Sequence, residues 1–287
     1  MRVNAITTGS SGNCYLIEFF KNNINHNADV NHNCINGENE NTGYLEQNDE
    51  RQYILFDCGI TYSSLLKYLE DLNIQPRQIQ YLIITHEHSD HIKGVDTLLK
   101  KNEHIQIITS KSVSNLLSLK TLPNSVYEVS YSQRVSFSAF DVFSYEVSHD
   151  CKEAMNFIII DRQTNKRICF MNDLGEFNDF HVQLAKQSDI IFLESNYHEP
   201  LVHKSKMHPT YLNRLTSSLG HLSNSQAQQL CLEFIHENQT IILSHISENM
   251  NEYRICYEEM KRCIKSTNII NYNLLISYQN TPTGWIE

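Results

Sequence analysis

Tyr81-Leu82-Ile83-Ile84-Thr85-His86-Glu87-His88-Ser89-Asp90-His91 is an apolar run that stops abruptly in a cluster of metal-ligand side chains. The first five residues read as a strand, and Ile92-Lys93-Gly94-Val95 beyond the cluster opens a helix. His86 and His88 are two apart, so in extended backbone their imidazoles face the same side. Asp90 and His91 follow where the chain turns, within reach of a second point close by. Four nitrogen and oxygen ligands within six residues at a strand-to-helix turn make a compact half of a two-metal site. The alternative, a surface loop rich in His, does not account for HxHxDH placed directly behind an apolar strand.

Two metals need further ligands, and three other strand-like runs end in suitable residues. The run 141–147 leads into Ser148-His149-Asp150, the run 167–171 into Asn172-Asp173-Leu174-Gly175, and the run 240–244 into His245-Ile246-Ser247. A lone His after a strand is usually a polar loop residue; three such ends in the company of HxHxDH point to His149, Asp173 and His245 as ligands.

The rest of the chain alternates in the same way. Further strands are expected at 3–7, 14–20, 53–56, 79–84, 105–109, 155–160, 190–194 and 270–277. Helices are expected at 62–72, 92–101, 111–118, 177–187, 209–218, 223–237 and 250–264, with Ser223 or Asn224 capping the helix from 223. Strands and helices mixed along the whole length indicate an α/β fold in one domain over residues 1–287. One segment is foreign to it: Lys21 to Gln52, in which ten of thirty-two residues are Asn, so polar that it reads as a long loop inserted in a hairpin. Its His26, His32 and Cys34 read as surface filler rather than ligands.

Composition narrows the class. At 287 residues, 40% apolar and 20% charged, the chain can bury a substantial core, and no apolar stretch approaches the ~18–20 residues of a membrane span. Met1-Arg2-Val3-Asn4 begins without an apolar run, so no secretory signal is expected. Eight scattered Cys without a CxxC read as reduced thiols, and the expected location is the cytoplasm. A net charge of −10 weakens any case for duplex binding through a broad basic surface, but bound metals and a local basic strip can invert the field at a site.

The ordered set HxHxDH, His149, Asp173, His245 resembles the metallo-β-lactamase superfamily. Gly9-Ser10-Ser11-Gly12-Asn13, Asp57-Cys58-Gly59, Ser148-His149-Asp150, Glu194-Ser195-Asn196-Tyr197-His198 and Gly220-His221-Leu222-Ser223-Asn224 narrow the resemblance to the YycJ/WalJ-like branch. Its members are single-domain hydrolases regarded as 5′-to-3′ DNA exonucleases. The resemblance implies a four-layer αββα sandwich of two mixed sheets and two divalent metal ions, zinc or alternatively manganese. His86, His88 and His149 would hold one ion, Asp90, His91 and His245 the other, and Asp173 would bridge. Asn172 stands where relatives usually carry Thr. Asp57 would orient a ligand imidazole from behind, or else cap the following helix.

Two ions ~3.5–4 Å apart activate a shared water for in-line attack on phosphorus and neutralise charge on the phosphoryl oxygens. Asp90 and His221 are the expected catalytic residues, His221 as proton donor to the leaving oxygen, though it could equally be a neighbour of the helix cap. Ser10, Ser11, Asn13, Asn196 and Asn224 are expected to contact substrate; Asn196 and His198 could instead form a structural turn. Some of the 15 Tyr and 12 Phe could stack bases. The expected partner is a DNA end or another nucleotide phosphodiester, with no membrane and a homo-oligomer left open. Within enzymes the alternative is a small-molecule hydrolase, cyclic nucleotides being the best candidate. A non-catalytic scaffold is disfavoured by the intact set of two Asp and five His.

Overall fold

The computed structural model describes residues 1–20 and 51–287. One sheet runs in the order β1 (Arg2–Thr7), β2 (Cys14–Phe20), β3 (Arg51–Phe56), β4 (Ile79–Ile83), β5 (Gln106–Ser110), β6 (Val126–Val129). β1 to β3 pair antiparallel, and β3 to β6 parallel. The other sheet contains β7 (Arg134–Ser136), β8 (Phe140–Glu146), β9 (Met155–Asp161), β10 (Arg167–Met171), β11 (Ile190–Glu194), β12 (Thr240–Ser244) and β13 (Asn273–Ile276), also in sequential order. Here β7 to β10 pair antiparallel and β10 to β13 parallel.

The two sheets pack face to face because their strands are apolar on both sides, as strands covered on two faces must be. Ile54 and Phe56 of β3 point inward, where they meet Phe157, Phe170 and Phe192 of the second sheet. The Phe56 and Phe170 rings stack with centroids 3.9 Å apart. Tyr53 and Leu55, one position out of phase, point outward to the first helical layer. That layer is α1 (Tyr62–Asp71), α3 (Val95–Lys101) and α4 (Lys111–Leu116), with the short α2 (Ser89–Ile92) at its edge. The second sheet is covered by α5 (Asp179–Lys186), α8 (Asn224–Phe234) and α9 (Tyr253–Lys265), while α6 (Glu199–Lys204) and α7 (Pro209–Leu215) pack together on Tyr197 and Met250. This is the four-layer αββα sandwich. No described helix is long and apolar enough to cross a membrane.

Several boundaries differ from the sequence expectation. The helix expected at 92–101 begins at Ser89 and is interrupted at Gly94, so Asp90 and His91 already sit in a helical turn. β6 and β7 are short and half exposed, and therefore lack the apolar signal that marks the others. The strand expected at 270–277 is confined to Asn273–Ile276. The Asn-rich segment at 21–50, with His26, His32 and Cys34, lies outside the described residues. Its flanks, Phe20 and Arg51, are register partners of β2 and β3.

Pairing directions place the carboxyl ends of β1, β3 and β4 together in one sheet. Those of β8, β10, β11 and β12 lie together in the other. Every ligand-type residue anticipated from sequence leaves the fold at these ends, where open sheets of parallel strands place their sites.

Candidate metal centre

The strands deliver their terminal residues by turning sharply. Asp57, Asp173 and His245 are the first or second residues beyond β3, β10 and β12, and all three have left-handed backbone, with φ of 54°, 53° and 53°. For a non-glycine residue this conformation costs about 1–3 kcal/mol and persists only where surrounding contacts hold it. Here the contacts are with each other's neighbours at the site.

Two groups of ligand atoms result. In the first, His88 Nδ1 lies 3.1 Å from His86 Nε2 and 3.2 Å from His149 Nε2. In the second, Asp90 Oδ2 lies 3.6 Å from His91 Nε2 and 3.9 Å from His245 Nε2. Asp173 reaches both. Its Oδ2 is 3.2 Å from His91 Nε2, and its Oδ1 is 3.6 Å from His245 Nε2 and 3.7 Å from His149 Nε2. Thus the seven residues anticipated as ligands converge within one cluster.

The cluster fits divalent cations on two counts. Among the described residues His245 Nε2 is buried without a hydrogen-bond partner, while carboxylate oxygens of Asp90 and Asp173 face it from beyond hydrogen-bond range. A buried polar atom left so is costly unless something else occupies the gap. The charge balance agrees: Asp57, Asp173 and Glu194 are all buried among the imidazoles. Burial alone would lower His91 and His245. The carboxylates of Asp57 and Asp173 nevertheless drive His91 up to about 10, and Asp173 with its neighbours holds His245 well above its usual value. Uncompensated, these carboxylates require positive charge here. By contrast, burial lowers His86 and His149, favouring the neutral form that coordinates metal.

Side chains behind the ligands fix their orientation. Asp57 Oδ2 lies 2.7 Å from His91 Nδ1, and the same carboxylate accepts from the Thr85 amide and hydroxyl. The Thr85 hydroxyl also lies 3.0 Å from His86 Nδ1. The metal-ligand loop rests on Asp57-Cys58-Gly59: the Cys58 amide donates to the His91 carbonyl and the Asn13 amide to the Asp90 carbonyl. A Cβ at Gly59 would stand 1.6 Å from that Asp90 oxygen, so only glycine permits the approach. Asn172 donates to the Tyr15 hydroxyl at 2.5 Å and accepts from Ser244 at 2.5 Å, locking the turn before Asp173 between the sheets.

Glu194 is the residue that sequence reasoning quoted without giving it a role. It ends β11, is fully buried, and its Oε1 lies 2.8 Å from His221 Nδ1 and 2.6 Å from His245 Nδ1. Its Oε2 accepts from the Leu174 and Leu222 amides. A carboxylate closing an otherwise apolar strand, Ile190-Ile191-Phe192-Leu193-Glu194, was the available signal. His221 is thereby held with its ring 5.2 Å from that of His149 and 5.1 Å from that of His245. Asp150 and Arg214 were also not anticipated. Asp150 Oδ1 lies 3.6 Å from His149 Nε2, and its carboxylate is gripped by two guanidinium nitrogens of the half-exposed Arg214.

The other anticipated substrate contacts divide. Ser10 and Ser11 are exposed on the loop after β1, with the Ser11 hydroxyl donating to Gln279. Asn13 is fully buried: its amide supports the ligand loop, and its side-chain Nδ2 lies 3.0 Å from His91 Nε2 and 3.4 Å from Asp90 Oδ2, among the ligand-type atoms. Asn224 does not reach the cleft surface. It is buried, its amide donating to Asn251 and Glu259. Asn196 is buried too and donates to the His245 carbonyl at 2.8 Å. His198 precedes α6 and faces Glu259 at 3.4 Å, away from the ligand cluster.

Comparison with known proteins adds the following. The beta-lactamase superfamily domain matches residues 52–246. The exodeoxyribonuclease WalJ of Streptococcus pneumoniae (serotype 2, strain D39) is 25% identical over 231 residues, covering 78% of this chain and 84% of that one. The exodeoxyribonuclease YycJ of Bacillus anthracis is 25% identical over 210 residues, covering 71% and 78%. Among solved structures, the metallo-beta-lactamase fold protein YhfI of Bacillus subtilis superposes with a TM-score of 0.65 over 98% of this chain and 97% of its own, at 14% identity.

Proposed function

The chain belongs to the beta-lactamase superfamily, and on that premise we propose that it hydrolyses phosphodiester bonds at the ends of DNA. It is a metal-dependent hydrolase, and the exodeoxyribonuclease relatives support DNA as the polymer. The observation that carries the reading is Asp173 touching both ligand groups, with the Glu194–His221 pair beside it.

We assign His86, His88 and His149 to one ion, Asp90, His91 and His245 to the second, and Asp173 to both. Zinc or manganese suits a mixed imidazole and carboxylate set. When bound, such ions supply Lewis acidity and a water of lowered pKa as nucleophile. The protein's own groups do the rest. Asp57 and Thr85 hold His91 and His86 in fixed tautomer and orientation, a support whose loss typically weakens metal binding. Glu194 accepts a hydrogen bond from His221 Nδ1–H and holds the ring in orientation, leaving Nε2–H as the donor to the departing oxygen. The exposed loop of Ser10 and Ser11 lies at the same end of the sandwich, placed for contact with substrate phosphate. The free thiols support a cytoplasmic setting.

The test is a metal-supplemented panel of end-labelled single- and double-stranded DNA, RNA and cyclic mononucleotides. The reading expects mononucleotide release from DNA ends that stops on chelation. Hydrolysis confined to cyclic mononucleotides would overturn DNA as substrate, and no phosphodiester hydrolysis with any metal would overturn the reading altogether.

A further inference from the structure

Beside His149 the surface opens into a cavity of about 630 Å³. Its apolar walls are Tyr131, Phe180 and Leu219, which are 37%, 43% and 49% exposed. Single exposed apolar side chains are ordinary; three lining one cavity together with the ligand-type residue His149 form a patch that asks for an occupant. Glu146, Glu153 and Glu176 also line it, and among the described residues no Lys or Arg does. From this juxtaposition we propose that the cavity is a nucleobase subsite, taking an unpaired base that bears an amino group while the adjoining phosphate lies at the metal centre. The proposal rests on the phosphodiesterase reading above and deepens it.

The chemistry selects the occupant. A flat aromatic ring stacks on Phe180 or Tyr131 whatever its sequence identity, because every base has a π-face. The carboxylates repel phosphate, so the backbone is excluded from this cavity and directed past it. They accept hydrogen bonds, which adenine, cytosine and guanine offer through exocyclic amino groups; thymine has no amino group and offers only its ring N3–H. Tyr131 adds a phenol donor, and burial together with Glu146 and Glu153 pushes its pKa up to about 12. The amino edge of a base is occupied in a duplex, so the terminal base must leave its partner to enter.

The walls are set before any ligand arrives. Asn178 caps α5, and the His181 ring is pinned between Asn178 Oδ1 at 3.0 Å and the Glu146 carbonyl at 3.2 Å, which fixes neighbouring Phe180 at the head of the helix. The turn carrying Leu219 is tied on both sides. The Ser148 hydroxyl donates to the Ser218 carbonyl at 2.6 Å, and His149 Nδ1 meets the Gly220 carbonyl at 3.1 Å. Leu219 and the ligand His149 therefore share one rigid unit, so a base resting on this wall stands at a fixed distance from the metal centre.

Calorimetric titration of the metal-loaded protein with deoxyadenosine monophosphate and with deoxyribose phosphate reads the subsite without requiring cleavage. The wild type should bind the adenine-bearing ligand roughly tenfold tighter or more, the size of a base–aromatic stack. Phe180→Ala and, independently, Leu219→Ser should bring that ratio close to one, and thymidine monophosphate should bind the wild type less tightly than the adenine nucleotide. A wild type that binds both ligands alike, or variants that keep the ratio, would overturn the subsite. A protein that prefers the adenine nucleotide yet cleaves no phosphodiester would sink the hydrolytic reading and leave the subsite standing. One that cleaves DNA ends without distinguishing an abasic end from a normal one would do the reverse.

Discussion

Glu194 Oε1 stands 2.8 Å from His221 Nδ1, with no solvent exposure at the carboxylate. The same oxygen lies 2.6 Å from His245 Nδ1, so one buried carboxylate sets both a ligand imidazole and the residue assigned to protonate the leaving group. The His221 and His245 imidazoles are thus mechanically joined at the end of β11.

The first prediction concerns His221. His221→Ala should retain both metals and lower turnover on DNA by ~10²–10⁴-fold, the usual worth of a positioned general acid. On an activated nitrophenyl phosphodiester, whose leaving group needs no proton, the loss should be much smaller. An equal loss on both substrates would assign His221 to positioning or fold support instead.

Glu194→Gln should reproduce that leaving-group dependence and, unlike His221→Ala, also weaken metal binding through His245. Because Glu194 acts through His221, the double variant should be little worse than the worse single one on DNA. Fully additive losses in kcat would show that the two side chains act separately.

Asp57→Asn should leave the ligands in place but slacken His91. Metal affinity should fall about 10–100-fold, as for other residues that orient a ligand imidazole, with activity restored by excess metal. Unaltered affinity by competition with a chelating dye would mean that the 2.7 Å contact does not matter to the ion.

Gly59→Ala tests the close approach of the ligand loop. With a Cβ 1.6 Å from the Asp90 carbonyl oxygen, the loop must move, so both the thermal midpoint and the metal affinity should drop. A variant with wild-type values of both would show that the loop shifts without cost.

Phe20 and Arg51 pair at the amino end of β3, whereas Asp57 leaves its carboxyl end. Replacing residues 22–50 by a short turn should therefore preserve hydrolysis of a small phosphodiester. Collapse of that activity in a folded, metal-loaded protein would place the segment's influence at the site.

The clustered residues were legible because metal coordination restricts residue type severely and because His86, His149, Asp173 and His245 stand within three residues of the end of a strand with an apolar signature. His86 and His88 needed only the two-residue period of extended chain. Asp173 and His245 needed the assumption that strand ends gather, which parallel pairing supplies. Glu194 escaped because its partners, His221 and His245, are 27 and 51 residues away in sequence, and no local spacing announces such a contact. Asn13 and Asn224, expected to contact substrate, are both buried. Short polar residues beside glycine or at a helix start suit phosphate contact and backbone support equally, and no local spacing separates the two. β6 and β7 remained hidden because half-exposed edge strands need few apolar residues. The cavity beside His149 was beyond sequence reading for a similar reason: Tyr131 and Leu219 come from two separate turns and Phe180 from the start of α5.

The central claim is a centre of two metals, joined by Asp173, that hydrolyses phosphodiesters. It is tested most directly by titrating metal-free protein with zinc or manganese while following mononucleotide release from end-labelled DNA. The account predicts no release before metal is added and a maximum at two equivalents per chain, with Asp173→Ala failing to reach it at that loading. Release that persists in excess chelator, or that saturates at one equivalent and survives Asp173→Ala, would contradict it.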